Sequence, residues 1–301
     1  MKLLVTGAFA CDEKQLEYIH SLGFDITFIQ DEREPLAIDV SEFEAVVCNR
    51  LFFYHPIEDF KNIKFIQLTS AGLDSVPMDY ITTHRIKICN ARGIYSVPIA
   101  EFVICGILGI YKHTRFFYDN QKIHKWEKHR GLYELFGKKA VIIGTGSIGC
   151  EVAKRLKAFD VKITGIDPVS CSSEYLDERF GPEMLDSVLP DVDIVVLTLP
   201  LTKENEGFFG SEKFALMKPS SVFVNVARGR LVDEKSLTDA LKNNKIYGAV
   251  IDVFEEEPLS EQSPLWEYEN AIVTPHNSFV GEFNRQRMFD LAVANLKEVV
   301  K

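Results

Sequence analysis

The sequence predicts an α/β protein of two doubly wound parallel-sheet domains with a cleft between them. Short apolar strands alternate with helical patterns along all 301 residues, the mark of α/β architecture. An apolar run, Ala140-Val-Ile-Ile143, breaks directly into Gly144, Gly146 and Gly149 at the G-x-G-x-x-G spacing. That turn begins near the middle of the chain and leaves a domain's worth of sequence ahead of it. The length itself favours about two domains.

Taken in order, the first strand covers residues 2–5. The N-terminal stretch to Cys11 has a short apolar core interrupted by Gly7, so it reads as a strand and not as a secretion signal. Strands over 25–29, 45–48, 65–68 and 86–89 complete a first sheet. From Ala100 to about Asn120 the apolar positions Phe102, Ile104, Ile107, Leu108 and Tyr111 predict one long buried helix, and the domain crossing is expected near it. A polar stretch through Lys122, His124, Lys125, Trp126 and Lys128 follows. Beyond the glycine turn, strands over 161–167, 194–199, 221–226, 248–253 and 271–274 predict a second parallel sheet. The last segment, 287–301, carries Met288, Leu291, Leu296 and Val299 at roughly helical spacing and is expected to return to the first domain.

Composition narrows the function classes. The longest strongly apolar stretch, 102–111, is far short of the ~20 residues that a bilayer span needs, so no membrane helix is expected. Six cysteines (Cys11, Cys48, Cys89, Cys105, Cys150 and Cys171) form no C-x-x-C pair, which suggests reduced thiols in a cytoplasmic protein with no zinc or other metal site. A net charge of -10 argues against nucleic acid or an anionic membrane as the principal partner. An anionic substrate would then need local positive charge, from particular arginines and backbone amides.

A G-x-G-x-x-G pattern alone equally describes an ordinary tight strand-to-helix turn. Here Val141 to Ile143 make the strand, Gly144 permits the turn, Gly146 lets the backbone approach a pyrophosphate, and Gly149 allows close helix packing. The next helix is expected to present Ile148, Val152, Leu156 and Phe159 to the sheet, with Lys154 and Lys157 in solvent. Its N-terminus, with Thr145, Ser147 and Ile148, would bind phosphate through free amides and the helix dipole. The following strand ends at Asp167, placed to accept hydrogen bonds from adenosine ribose hydroxyls and to repel a 2′-phosphate. Pro168 supplies no arginine to reverse that preference, which favours NAD over NADP. Methyltransferases that bind S-adenosylmethionine show similar glycines, so the cofactor class rests on residues further along.

Those residues are Val224-Asn-Val-Ala-Arg-Gly-Arg230, Ile251-Asp-Val-Phe-Glu-Glu-Glu-Pro258 and Val273-Thr-Pro-His276. Each follows a predicted strand, and ligands bind at the carboxyl ends of parallel strands, so Arg228, Glu257 and His276 are expected to converge. Seen singly, each reads as a surface arginine, a solvated acidic loop and a loop histidine. At these segments the chain resembles the D-isomer-specific 2-hydroxyacid dehydrogenases, a family that includes D-lactate, glyoxylate/hydroxypyruvate and 3-phosphoglycerate dehydrogenases. The resemblance also takes in Thr69-Ser-Ala-Gly-Leu-Asp74, the run from Asn90 to Glu101, and Leu199-Pro-Leu-Thr202.

The resemblance implies two Rossmann-like or flavodoxin-like domains, residues 1–100 plus 277–301 binding substrate and 101–276 binding NAD. The substrate it implies is a small anionic 2-oxo or 2-hydroxy acid. It makes His276 the acid–base group at the substrate oxygen, Glu257 the residue that orients the imidazole, and Arg228 the ligand of the substrate carboxylate or carbonyl. It sets Leu199, Pro200, Val226, Ala227 and Asp252 at the cofactor, Asp252 near the nicotinamide carboxamide. Backbone amides at Ala71 and Gly72 would bind the substrate carboxylate. Arg50, beside Asn49, either meets the substrate anion or is a surface arginine. After His276 the chain departs from the family pattern: Asn277-Ser-Phe-Val-Gly281 replaces a small, glycine-containing continuation, which bears on substrate preference. The sequence ends at Lys301, so the extra regulatory domain of some phosphoglycerate dehydrogenases is not expected. The family also implies a homodimer, with residues 102–126 as its surface or as buried core of one subunit. A second functional reading is an NAD(H)-sensing protein like the related transcriptional corepressors, in which binding outweighs turnover.

Overall fold

The computed structural model describes residues 1–169 and 173–300, so Cys171 lies outside the described residues. The chain divides into two compact units, Met1–Tyr95 with Gly281–Lys301, and Ser96–Val280. The first contains β1 (Lys2–Thr6), α1 (Glu13–Ser21), β2 (Asp25–Ile29), β3 (Ala45–Cys48), α2 (Leu51–Tyr54), β4 (Phe65–Leu68), α3 (Met78–Thr83) and β5 (Lys87–Cys89). Its strands are parallel in the order β2-β1-β3-β4-β5. Strand β3, Ala-Val-Val-Cys, lacks polar alternation because all four residues are buried, as a strand covered on both faces requires. Helix α1 begins at a capping box in which Asp12 and Gln15 each accept the other's backbone N–H.

The second unit contains α4 (Ser96–Tyr111), α5 (Thr114–Lys122), β6 (Lys139–Ile143), α6 (Ser147–Lys157), β7 (Lys162–Ile166), β8 (Glu178–Phe180) and α7 (Leu185–Val188). It continues with β9 (Ile194–Leu197), α8 (Ser211–Leu216), β10 (Val222–Asn225), α9 (Glu234–Lys242), β11 (Gly248–Ile251) and β12 (Ala271–Val273). These strands are parallel in the order β12-β11-β10-β9-β6-β7-β8. Strand order reverses between β6 and β9, and such a switch point opens a crevice at the carboxyl ends of the strands. Finally α10 (Asn284–Val299) belongs to the first unit, where Met288, Ala292, Val293 and Leu296 are buried with Leu3 and Val5.

Two expectations from the sequence need correction. The single helix over 100–120 is two, α4 and α5, bent by 68°. His113 between them takes a left-handed backbone (φ 49°), stacks on His129 at 4.1 Å, and its Nε2 lies 2.7 Å from the Tyr247 hydroxyl. These long-range contacts override the local helical pattern. Phe159 does not face the sheet: α6 ends at Lys157, the chain turns through Asp160 (φ 57°) into β7, and Phe159 is left exposed. Ala153 is buried beside Val152 and Leu156 instead. Among the described residues no single helix is long and apolar enough to cross a membrane.

Candidate active site

The glycine turn is shaped by close approach. Gly144 has φ 97°, and a Cβ there would lie 2.6 Å from the backbone nitrogen of Leu199, so the loop after β9 packs directly on it. A Cβ on Gly149 would lie 2.2 Å from the Gly144 carbonyl oxygen, so α6 seats where only hydrogen fits. Gly146 differs: a Cβ there would meet nothing within 4 Å, and as N-cap of α6 it offers no side-chain cap. An open approach to uncapped first-turn amides at the positive end of a helix is what a pyrophosphate requires, so these residues fit a dinucleotide. Asp167 stands beside them. Its Oδ2 accepts from the Thr145 amide (2.7 Å) and hydroxyl (3.2 Å), and its Oδ1 from the Val169 amide (2.9 Å). An ionised carboxylate has about four lone-pair sites, leaving capacity for a ribose hydroxyl.

The loops after β10, β11 and β12 carry the other candidates. Asn225 folds the first loop: its Nδ2 donates to the Arg228 carbonyl (3.0 Å) and its Oδ1 accepts from the Ala227 amide (3.1 Å). The Arg228 guanidinium donates to the Ala227 carbonyl through Nη1 at 2.7 Å. A Cβ on the adjacent Gly229 would lie 1.8 Å from the carbonyl carbon of Phe254, so the Arg228 loop rests on the loop after β11. There the Phe254 amide donates to Glu257 Oε1 (3.2 Å), and Glu257 Oε2 lies 2.9 Å from His276 Nδ1.

Asp252, fully buried, builds the turn that presents the histidine. Its Oδ1 accepts from the Thr274 hydroxyl (2.6 Å) and the Asn277 amide (2.8 Å), its Oδ2 from the Ser278 amide (2.9 Å), and its carbonyl from the His276 amide (2.8 Å). His276 itself has φ 50°. A left-handed non-glycine backbone costs on the order of 1–3 kcal/mol, and the hydrogen bonds that the flanking amides and the Thr274 hydroxyl donate to the buried Asp252 side chain help to offset it.

Histidine, glutamate and the arginine-bearing loop are thus joined within the second unit. Leu199 lies against Gly144, the Pro200 carbonyl accepts from Asn205 Nδ2 (2.8 Å), and Val226 and Ala227 are buried after β10. Ala71, Gly72 and Arg50 belong to the first unit, in loops after β4 and β3. The Ala71 carbonyl accepts from Asn90 Nδ2 (2.7 Å), and the Gly72 carbonyl from the Ser70 hydroxyl (3.0 Å). Arg50 is exposed, and its backbone is held by the buried Glu32, which accepts from the amides of Asn49 (3.0 Å) and Arg50 (2.5 Å). The sequence gives no sign of Glu32 or of the close packing at Gly229, and it marks Phe279 only as part of the segment after His276. The Phe279 ring stands edge-on to the His276 imidazole at 6.1 Å, within the segment that departs from the family pattern. Among the described residues no three His, Cys, Asp or Glu groups gather to hold a metal ion.

Residues 104–278 match the family described as D-isomer specific 2-hydroxyacid dehydrogenase, NAD binding domain. The glyoxylate reductase of Thermofilum pendens is 34% identical over 283 residues, 89% of this chain and 82% of that one. The D-3-phosphoglycerate dehydrogenase of Archaeoglobus fulgidus is 33% identical over 282 residues, 92% of this chain. The aligned region is 53% of that enzyme's length, so the chain spans about half of it. A solved D-isomer specific 2-hydroxyacid dehydrogenase family protein from Aeromonas salmonicida superposes with a TM-score of 0.82 at 28% identity, over 98% of this chain and 94% of that one. The matched segment holds the glycine turn, Asp167, Arg228, Asp252, Glu257 and His276, and the chain belongs to the D-isomer specific 2-hydroxyacid dehydrogenase family.

Proposed function

We propose that the protein is an NAD-dependent reductase of small 2-oxo acids, running in reverse as a D-2-hydroxyacid dehydrogenase. The observation that carries this reading is the 2.9 Å contact between His276 Nδ1 and Glu257 Oε2 within a family NAD-binding domain. NADH bound at the glycine turn supplies the hydride. With Nδ1 engaged by the carboxylate, Nε2 is the nitrogen that exchanges a proton with the substrate oxygen. It donates as the carbonyl oxygen gains charge, and takes the proton back in the oxidative direction. Glu257, fixed through its other oxygen by the Phe254 amide, holds the ring's orientation. Arg228 binds the substrate carboxylate or carbonyl and sets positive charge where negative charge develops. In the first unit, the amides of Ala71 and Gly72, with Arg50, are our candidates for the substrate carboxylate.

The preference for NAD over NADP rests on the Asp167 carboxylate at the end of β7, which would repel a 2′-phosphate. Small 2-oxo acids are supported by the names of the relatives, a glyoxylate reductase and a D-3-phosphoglycerate dehydrogenase. The assembly we propose is a homodimer through α5 and the arm after it, where Tyr118, Ile123 and Trp126 are exposed. A single-chain mass in sedimentation would contradict it.

Oxidation of NADH and NADPH is to be followed with glyoxylate, pyruvate, hydroxypyruvate, branched 2-oxo acids and 3-phosphohydroxypyruvate. Turnover of at least one acid is expected, faster with NADH. Tight NADH binding without turnover on any of them would overturn the reductase and favour an NAD(H)-sensing protein. Turnover with NADPH alone would overturn the role of Asp167.

A further inference from the structure

Glu255 and Glu256 sit beside Glu257 in an acidic run that by composition belongs in solvent, yet Glu255 is engaged. Its carboxylate Oε1 accepts from the backbone amide of Glu234, the first residue of α9, at 2.9 Å. Glu234 answers: its Oε2 accepts from the Glu255 amide at 3.2 Å. The two residues are 21 positions apart, so this reciprocal pair joins two separate segments in the way a capping box joins neighbours. Helix α9 is already capped by Asp233, which accepts from the amides of Lys235 and Ser236. The clasp therefore acts chiefly on the loop.

Bringing two glutamates together has an electrostatic cost. Burial raises the pKa of Glu234, and the Glu255 charge adds to that effect against the lowering influence of the Glu255 amide. What the contact does mechanically is pin the loop between Phe254, whose amide holds Glu257 Oε1, and Glu257 itself. The side chains of Glu257 and His276 are 39% and 43% exposed, so water competes for their mutual bond. A fixed backbone, with the Phe254 amide on Oε1, keeps the carboxylate beside the imidazole.

We propose that Glu234 and Glu255 are positioning residues whose reciprocal carboxylate-to-amide bonds hold the loop after β11, and with it Glu257, against His276. This role in the reaction rests on the reductase reading above; the clasp itself does not.

The test uses the full chain with Glu234→Ala, Glu255→Ala, Glu234→Gln and the double alanine variant. It measures kcat, KM for NADH, thermal midpoint and amide hydrogen exchange over residues 252–258. In folded alanine variants, kcat should fall roughly tenfold, since small misplacements of a catalytic group carry losses up to about a hundredfold. KM for NADH should stay within about twofold, because the glycine turn is a separate structure. Exchange over 252–258 should quicken. The double variant should be no worse than the poorer single one, because both remove one shared device. Glu234→Gln keeps an oxygen that accepts from the Glu255 amide, so it should recover slow exchange and most of the lost kcat. Unchanged exchange and kcat in the alanine variants would overturn the proposal, as would a glutamine variant as impaired as alanine. Were the wild-type protein inert on every 2-oxo acid, the reductase reading would fail, and exchange alone would decide the clasp: faster in Glu234→Ala supports it, unchanged overturns it.

Discussion

Replacing His276 by alanine is expected to lower kcat for 2-oxo acid reduction by about 10²–10⁴-fold, the usual contribution of a positioned acid–base group. That range corresponds to about 3–5 kcal/mol of transition-state stabilisation. The dissociation constant for NADH should stay nearly unchanged, because the groups proposed to hold it, the amides at the start of α6 and the Asp167 carboxylate, follow β6 and β7, whereas His276 follows β12. The fold should also survive. Asp252 bonds the backbone of 276–278 and the Thr274 hydroxyl, none of which the substitution removes. Steady-state kinetics with a fluorescence titration of NADH checks both halves. A variant that keeps its turnover but loses NADH affinity would contradict the assignment of the histidine as the acid.

Gly229→Ala is expected to be the most damaging single methyl group in the second unit. The added carbon would lie 1.8 Å from the Phe254 carbonyl carbon, 1.9 Å from its oxygen and 2.5 Å from the Glu255 nitrogen. All three are backbone atoms, so no side-chain rotation relieves the clash and the two loops must part. Overpacking a well-filled site usually costs about 1–3 kcal/mol, and a backbone clash of this kind belongs at or beyond the upper end. Parting the loops also separates Arg228 from the loop that carries Glu257, so kcat should fall by about a hundredfold in whatever protein folds. Denaturant midpoints and kcat are the measurements. The control is Gly146→Ala, whose new carbon meets nothing within 4 Å and which should fold as the wild type does. A Gly229→Ala protein with wild-type stability and turnover would show that the two loops do not depend on each other.

Much of this architecture was readable because burial writes itself locally. Strands such as Ile194–Leu197 and Val222–Asn225 are buried on both faces, so their apolar runs stand out, although each predicted strand ran a residue or two too long. Strand β8 left no such mark: Glu178-Arg-Phe180 is exposed throughout at the sheet edge and carries no apolar pattern. The break at His113 was hidden because its causes, His129 and Tyr247, lie in distant sequence. The same division holds at the site. Gly144, Asp167, Arg228, Glu257 and His276 belong to short segments in a set order, which a reading of the chain can find. Gly229 against Phe254, Glu32 beneath Asn49 and Arg50, and Glu234 across from Glu255 are contacts between segments, and their residue types alone announce nothing.

Hydride transfer to C2 of a small 2-oxo acid, with His276 supplying the proton to the oxygen, is the reaction proposed for this protein. The most direct measurement repeats the 2-oxo acid panel with NADH carrying deuterium at both C4 positions, and follows the products by mass spectrometry and chiral analysis. The expected product is a 2-hydroxy acid that carries deuterium at C2, of D configuration for the 2-oxo acids other than glyoxylate, formed by the wild-type protein and nearly absent with His276→Ala. Products without deuterium at C2, or equal yields from the two proteins, would contradict it.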